Sequence, residues 1–321
     1  MSRIGLVLGA GGIVGHAFHA GVLAGLEEAT GFDARQSDIV VGTSAGSLVA
    51  ALLRAGFSSA DLRANARGHA LSAAGSRTLA RMGTQGDIPV PSLSHADIAR
   101  GPAAAGVLLA AARRPWSVRL GALAAGLLPA GTVSTESLQK GMSNLFPVGW
   151  PRQPTWICAV RLDDGSLATF GRPDSPTATI GQAVAASCAI PAFFKPVVIG
   201  GRRYVDGGSH SVTNADLLAG EHLDLVIVSC PMAGTRDAML LGPDLPLRAV
   251  VRMRLAQELV AVRASGAQVV AFQPTPEVRS AMGNNAMDGR RRREVAEAAR
   301  EMTIRRLNEP SVQARLEALK T

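Results

Sequence analysis

The chain has few aromatic residues and few cysteines, and both shortages exclude classes of protein. Aromatic residues make up 4% of the sequence, with a single tyrosine, so the stacking platforms that bind single-stranded nucleic acid are nearly absent. The three cysteines, Cys158, Cys188 and Cys230, are isolated and show no C-x-x-C spacing, which disfavours a disulfide framework and a zinc site. We therefore expect buried thiols in a reducing compartment, no metal and no nucleic-acid partner.

Long apolar runs are also missing. The most membrane-like runs, residues 103–112 and 120–130, are separated by arginines at 113, 114 and 119, and neither approaches the roughly 20 residues that span a bilayer. The first residues lead directly into a strand-like run, without the longer apolar core and cleavage site of a secretory signal. These absences predict a cytoplasmic protein without a transmembrane helix.

The composition is otherwise that of a globular protein with an excess of positive charge. A hydrophobic content of 47% allows one large domain or one domain with an appendage. The net charge of +8 favours anionic partners, namely membrane surfaces, phosphate-bearing lipids or nucleic acid. The run Arg290–Arg293 lies in a helix-like stretch that also carries glutamates, which indicates a solvated, salt-bridged face. We therefore expect a lipid substrate and peripheral contact with the inner face of an anionic membrane.

Apolar runs predict strands that alternate with helices along the chain. Strands are expected at residues 4–8, 38–42, 155–162, 167–170, 197–204, 223–229 and 268–272, and helices at 16–29, 180–187 and 247–265. This alternation predicts an α/β fold, a three-layer α/β/α sandwich on a mostly parallel central sheet. Residues 58–150 differ, because they combine alanine-rich helical fragments with proline breakers, and they predict an inserted helical cap.

A turn that exposes a serine follows the second predicted strand. The sequence Gly42-Thr43-Ser44-Ala45-Gly46 comes directly after the apolar run 39–41, and residues 47–53 are typical of a buried helix. In a nucleophile elbow the serine has a strained backbone, and glycines two positions before and after it relieve crowding between strand and helix. The pattern predicts Ser44 as a nucleophile with Gly42 and Gly46 as the elbow glycines; a plain tight turn is the alternative.

A glycine-rich segment between the first strand and the first helix can bind an anion through its amides. The dinucleotide fingerprint fits poorly, because Val14 occupies the position of its last glycine and no acidic residue closes the second strand. The segment also lacks the Gly-Lys-Ser/Thr ending of a P-loop. We expect the amides of Gly11, Gly12 and Ile13 to form an oxyanion hole for attack on an ester; a close-packed strand-to-helix turn is the alternative.

A serine nucleophile needs a base within hydrogen-bonding distance. Asp206 lies between the strand end 203–205 and Gly207-Gly208, where the two glycines leave its carboxylate uncrowded, so it is a candidate for a direct base. The histidines give no clear candidate by their positions, which are His16, His19, His69, His95, His210 and His222. A Ser-Asp-His triad that uses His210 or His222 therefore stays open as an alternative.

Four blocks in this order resemble the patatin-like phospholipases with a bacterial-type patatin domain. The blocks are the glycine-rich loop, the G-x-S-x-G turn, the segment Ala-Ala-Ser-Cys-Ala-Ile-Pro-Ala-Phe-Phe-Lys-Pro at 185–196, and Asp206-Gly207-Gly208. The resemblance implies an acyl hydrolase with a Ser44–Asp206 dyad, no metal and no other cofactor, and it gives Asn214 a supporting role beside the aspartate loop. Two positions depart from the family pattern: Ala10 replaces a glycine, and Val14 replaces a basic residue that would raise the local positive potential.

These observations predict a patatin-like acyl hydrolase domain at 1–275, with the cap inserted at about 58–150, followed by a helical extension at 276–321. The first hypothesis is cleavage of fatty-acyl esters of phospholipids or lysophospholipids, with residues 100–130 as a lid or interfacial surface. A non-catalytic lipid-binding or regulatory patatin-like module is one alternative. An α/β-hydrolase esterase with a Ser-Asp-His triad is the other.

Overall fold

An eight-stranded sheet forms the centre of the structure, a computed structural model that describes residues 2–83, 126–128, 130–239 and 244–316. Its strands are β1 Ile4–Leu8, β2 Ile39–Thr43, β3 Thr155–Arg161, β4 Leu167–Phe170, β5 Val197–Ile199, β6 Arg202–Asp206, β7 Leu225–Ser229 and β8 Gln268–Phe272. The strand order is β5-β6-β3-β2-β1-β7-β8, and β4 also pairs with β3. The pairs among β1, β2, β3, β7 and β8 are parallel, whereas β4, β5 and β6 pair antiparallel. The mostly parallel sheet predicted from the alternation is confirmed.

Helices cover both faces of this sheet. They are α1 Gly12–Thr30, α2 Ala45–Arg54, α3 Ser59–Arg67, α4 Ala73–Met82, α5 Glu136–Leu145, α6 Ile180–Ser187, α7 Leu245–Ala264, α8 Pro276–Met282, α9 Arg292–Leu307 and α10 Pro310–Gln313. Alternate strand residues such as Leu6 and Val40 pack with α1, α2, α6 and α9, while Val7 and Val41 point to the other face and pack with α7. The α/β/α sandwich is thus confirmed, with its helices divided unequally between the two layers.

The first helix begins earlier than the sequence predicts. It starts at Gly12 rather than near residue 16, because Gly12 takes a positive φ of 63° and Gly15 N–H already donates to Gly11 O at 2.9 Å. Part of the predicted glycine loop is therefore the first turn of a helix, whose leading amides have no partner within the helix. This geometry directs the amides of the glycine segment outward from the end of β1.

The helices at both ends of the predicted cap, residues 58–150, share the main core. Leu62 of α3 and Met142 of α5 are fully buried in the same apolar cluster as Phe18 of α1. The proposed lid or interfacial segment, residues 100–130, lies almost wholly outside the described residues. Beyond residue 275, α9 packs on α1 so closely that a Cβ on Gly21 would collide with Ala296 O. Within the described ranges, no helix is long and apolar enough to cross a membrane.

Strand β3 brings together two chain segments that are distant in sequence. On one edge, β3 pairs with β4 through Ile157–Val160. On its other edge, Cys158 lies opposite Thr43 at the end of β2, and the next residue, Ala159, lies opposite Asp206 at the end of β6. The carboxyl ends of β2 and β6 therefore meet head to head, which places the residue after Thr43 beside Asp206.

Candidate active site

Ser44 occupies a strained turn between β2 and α2. Its φ of 53° and ψ of −121° lie outside the regions that a non-glycine residue ordinarily adopts, and the residue is only 5% exposed. A strained backbone of this kind persists only where the surrounding structure enforces it. The geometry is that of a nucleophile elbow.

The two elbow glycines are required by close approach of the backbone. A Cβ on Gly42 would lie 2.6 Å from Ser47 Cα, and a Cβ on Gly46 would collide with the carbonyl oxygen of Leu8. Helix α2 thus starts directly against both β1 and β2. Any larger side chain at either position would push α2 away and release the turn.

Three further polar groups hold Ser44, and sequence reasoning did not identify them. Ser187 Oγ, at the end of α6, accepts the Ser44 N–H at 2.8 Å. The Ser44 carbonyl accepts from Ser47 Oγ at 2.6 Å and from Cys188 Sγ at 3.4 Å. Ser187 and Cys188 belong to the small-residue segment 185–196, so the only sequence signal for them was membership of that block. Their hydrogen bonds fix both peptide groups of the strained residue.

Asp206 lies beside Ser44 in a dry environment. Its carboxyl group is hydrogen-bonded to the side chain of Ser44 and accepts Gly208 N–H at 2.7 Å, while the residue is 6% exposed. Burial raises the pKa of Asp206 to about 6, against the lowering effect of the Ser44 and Gly208 hydrogen bonds. Gly207 is needed here as well, because a Cβ on it would collide with Cys158 O. The carboxyl can thus exchange a proton with Ser44 near neutral pH.

The glycine segment presents free amides close to both residues. Val14 N–H donates to Ala286 O at 3.0 Å, whereas the amides of Gly11, Gly12 and Ile13 have no acceptor within the described part of the chain. A Cβ on Gly208 would lie 3.4 Å from Ala10 Cβ, and one on Gly15 would lie 3.8 Å from Ala45 Cβ. The segment therefore contacts the loop after Asp206 and the first residue of α2. Amides in this position can donate to an oxyanion formed at Ser44.

Asn214 connects the aspartate loop to the nucleophile turn. Its side chain donates to Thr43 Oγ1 at 3.1 Å and to Ser211 O at 2.7 Å, in a left-handed backbone conformation with φ 51°. The residue ties the strand end before Ser44 to the loop after Asp206.

A buried carboxylate that the sequence did not reveal anchors the same loop. Glu258 of α7 is 1% exposed and accepts hydrogen bonds from Ser211 Oγ at 2.5 Å, Thr213 Oγ1 at 2.6 Å and Ala215 N at 2.9 Å. Arg254 pairs with it at 3.1 Å. These contacts satisfy the charge and hold the segment that carries Asn214.

The described histidines lie in several different parts of the structure. His19 is fully buried; its Nε2 donates to Gly9 O and its Nδ1 accepts from Ser229, each at 2.8 Å, and burial lowers its pKa to about 3. His222 lies beside Arg3, at the opposite end of the strands from Ser44. His210 Nδ1 bonds Asn214 Oδ1 at 2.9 Å. Burial, together with Arg292, lowers the pKa of half-buried His16 to about 4; His69 is exposed, and His95 lies outside the described residues.

The cysteines are free thiols. Burial raises the pKa of Cys158, Cys188 and Cys230 to about 12 each, and for Cys188 the charge of Asp206 adds to the effect. Across residues 2–83, 126–128, 130–239 and 244–316, no cluster of histidine, cysteine and acidic side chains could hold a metal ion.

Comparison with known proteins identifies one family. The model of the patatin-like phospholipase family matches residues 6–219. Among solved structures, the chain is similar to VipD from Legionella pneumophila, at 15% identity and a TM-score of 0.46, over 96% of this chain and 67% of VipD. It is also similar to the type III effector protein ExoU, at 18% identity and a TM-score of 0.37, over 98% of this chain and 53% of ExoU. No curated protein matches the chain at a significant level.

Proposed function

Because the chain belongs to the patatin-like phospholipase family and is a lipid acyl hydrolase, we propose that it cleaves fatty-acyl esters of phospholipids or lysophospholipids through a Ser44–Asp206 dyad. The observation that carries this proposal is that the ends of β2 and β6 meet on successive residues of β3, which places Ser44 beside the buried Asp206 carboxyl, where its side chain lowers the pKa of that carboxyl through a hydrogen bond. A base in contact with the nucleophile needs no intervening imidazole.

The reaction follows from this contact. Ser44 Oγ attacks the ester carbonyl carbon while its proton passes to Asp206, and a tetrahedral oxyanion forms. The amides of Gly11, Gly12 and Ile13 donate to that oxygen, where the loss of one donor costs about 2.7–4 kcal/mol of barrier. The ester C–O bond then breaks, and Asp206 returns the proton to the leaving alcohol. Water repeats the sequence on the acyl-enzyme, with Asp206 as base, and releases the fatty acid.

A cation beside the glycine segment supports a substrate that carries phosphate. Ala286 accepts the Val14 N–H, and a Cβ on Gly289 would lie 3.9 Å from Ile13 Cγ2, so the chain after α8 packs against this segment. The next residue, Arg290, has a side chain that is 91% exposed and pairs with Asp288 at 3.0 Å. Such an exposed ion pair contributes little to stability. The Arg290 guanidinium can therefore leave the Asp288 carboxylate and bind a lipid phosphate instead. Arg290 would thereby replace the basic residue that position 14 lacks.

Labelling with a fluorophosphonate probe tests the dyad against a non-catalytic module. We expect the probe to label Ser44 and the labelling to disappear in Ser44→Ala. Ser265→Ala should behave as wild type, because Ser265 is an exposed serine directly after the C-terminal end of α7. Fatty-acid release from phospholipid vesicles should be lost in the same Ser44 variant. Folded wild-type protein that takes up no probe and releases no fatty acid would leave the lipid-binding module as the better description.

The triad alternative has its own test. His210 lies near the aspartate loop, and its hydrogen bond to Asn214 is the one observation that favours a histidine partner. Under the dyad, His210→Ala retains most of its hydrolysis of a soluble short-chain ester, whereas Asp206→Asn loses it. Equal losses in His210→Ala and Ser44→Ala would establish the triad instead.

The headgroup role of Arg290 is tested by comparing two substrates. Arg290→Ala should raise KM for phosphatidylglycerol but not for diacylglycerol, which carries no phosphate. Arg305→Ala is the matched control, because Arg305 is 62% exposed on α9 and also forms a weak ion pair, at 4.0 Å from Glu301. An equal rise in KM for both lipids would remove the phosphate contact from the proposal.

A further inference from the structure

Helix α7 presents an apolar side to solvent. Among the described residues, half of the exposed large apolar side chains belong to this helix: Leu247, Val250, Met253 and Val260, at 53%, 57%, 59% and 64% exposure. Its other exposed residues include Pro246 and three alanines, Ala249, Ala256 and Ala264. The opposite side, with Val251, Leu255, Leu259 and Val262, is buried against the sheet. A helix that is apolar on both sides is expected to have a partner on the outer one.

The charges on α7 favour an anionic partner. The only acidic residue of the helix, Glu258, is buried in the aspartate loop contacts, so the exposed side carries no negative charge. Arg252 and Arg263 lie along one margin of the apolar side and are the arginines that can contact lipid phosphates. Arg254, along the other margin, already pairs with Asp216 and Glu258. A lipid surface with anionic headgroups matches this arrangement, because the apolar residues enter the acyl boundary while the arginines contact phosphates.

The apolar side begins at the active-site end of the molecule. Arg248, near the start of α7, pairs with Asp244 and donates to Pro231 O at 3.0 Å and Ala233 O at 2.7 Å. Pro231 in turn contacts the glycine segment, where a Cβ on Gly11 would lie 2.6 Å from Pro231 Cγ. The start of α7 is therefore linked through Arg248 and Pro231 to the glycine segment, so the apolar side begins at the end of the molecule that carries the candidate oxyanion hole.

We propose that the exposed side of α7 is the surface by which this enzyme binds anionic membranes, with Leu247, Val250 and Met253 inserted among the lipids. The inference rests on the proposed lipid hydrolysis and adds to it the surface that brings the active site to its substrate. It assigns interfacial binding to a helix outside the family-matched residues 6–219, rather than to residues 100–130.

Vesicle co-sedimentation of the full chain tests this surface. The Ser44→Ala background keeps the lipids intact, and the vesicles are phosphatidylcholine alone or phosphatidylcholine with phosphatidylglycerol. Val250→Glu with Met253→Glu should lower the affinity for anionic vesicles at least about tenfold, since both side chains lose their apolar contact. Val198→Glu is the matched control, because Val198 is 60% exposed on β5, at the opposite edge of the sheet from β8, and should bind as wild type.

Hydrolysis of a soluble short-chain ester separates this proposal from the proposed function. With Ser44 present, the double variant and Val198→Glu should both match the wild-type rate; a wild-type protein that binds vesicles but cleaves no ester would refute the catalytic proposal alone. Equal vesicle binding by the double variant and Val198→Glu would overturn the membrane surface. Two other results would also overturn it. A wild-type dimer that dissociates in the double variant would show that a second copy covers this side of α7, and a selective loss of thermal stability in that variant would show that another part of this chain does.

Discussion

Replacing Asp206 by asparagine should make the protein more stable while it removes activity. The carboxyl is 6% exposed, and burial raises its pKa from the ordinary 3.8 to about 6. Above pH 6 the folded protein must hold this charge in a dry site, whereas below about pH 4 the carboxyl is neutral in both the folded and the unfolded state. The free energy of unfolding therefore falls as pH rises between these values.

The magnitude follows from the two pKa values. A rise from 3.8 to about 6 corresponds to about 3 kcal/mol at pH 8, and to less than about 1 kcal/mol at pH 4. Asparagine has nearly the same shape, can still accept the Gly208 N–H, and carries no charge at any pH. We expect Asp206→Asn to exceed wild type by up to about 3 kcal/mol at pH 8 and to approach it at pH 4. Its ester hydrolysis should fall by about 10²–10⁴-fold, the range for a lost general base.

Urea unfolding at pH 8 and pH 4, beside kcat on a soluble ester, measures both effects. Asp164→Asn is the control of opposite sign. Partial burial raises the pKa of Asp164, but hydrogen bonds from Arg161 and Ser166 outweigh this effect and lower the pKa to about 2. The ionised Asp164 carboxyl therefore stabilises the folded protein, and this stabilisation is present above pH 3.8. Asp164→Asn should accordingly be less stable than wild type at pH 8. An Asp206→Asn protein that is destabilised at pH 8, or whose stability difference does not change with pH, would refute the reasoning.

Three further predictions concern the same site. The kcat/KM for a soluble ester should fall about tenfold per pH unit below pH 6, because protonated Asp206 cannot accept the Ser44 proton; a flat profile down to pH 4 would contradict this. Ser187→Ala leaves the buried Ser44 N–H without its acceptor, so the free energy of unfolding in urea should fall by about 1–3 kcal/mol and probe labelling should weaken. Unchanged labelling would argue against a role for Ser187 in holding the turn. Glu258→Gln should lower kcat with little change in KM, because the loop that carries Asn214 loses its anchor. Glu301→Gln, at an exposed glutamate, is the control, and a change in KM alone would count against a positioning role for Glu258.

Much of the fold could be predicted from local pattern. The strands at 4–8, 167–170 and 268–272 agree with the structure residue for residue, since a short apolar run bounded by turn residues is a local signal. The start of α1 could not be found in this way, because glycines normally end or interrupt helices, and only the folded chain shows the hydrogen bond from Gly15 N–H to Gly11 O that forms the first turn. The uneven helical layers likewise depend on packing.

The residues of the candidate site also differ in whether a local pattern in the sequence can identify them. Ser44 and Asp206 could be singled out because each lies in a turn with its own glycines, a feature of a few adjacent residues. Ser187 and Glu258 could not, since a serine near a helix end and a glutamate in a helix are ordinary until a partner is known. Their partners lie in other elements, and only the folded chain brings them within hydrogen-bonding distance.

The sequence by itself determined the class of fold, the nucleophile turn and the family, because all three reside in short ordered blocks. Only the tertiary structure decided that Thr43 and Asp206 face successive residues of β3, which places Ser44 beside Asp206. It also decided that the side of α7 facing away from the sheet is apolar and exposed. Both are products of register and burial, and these arise from contacts between distant segments that no local pattern records.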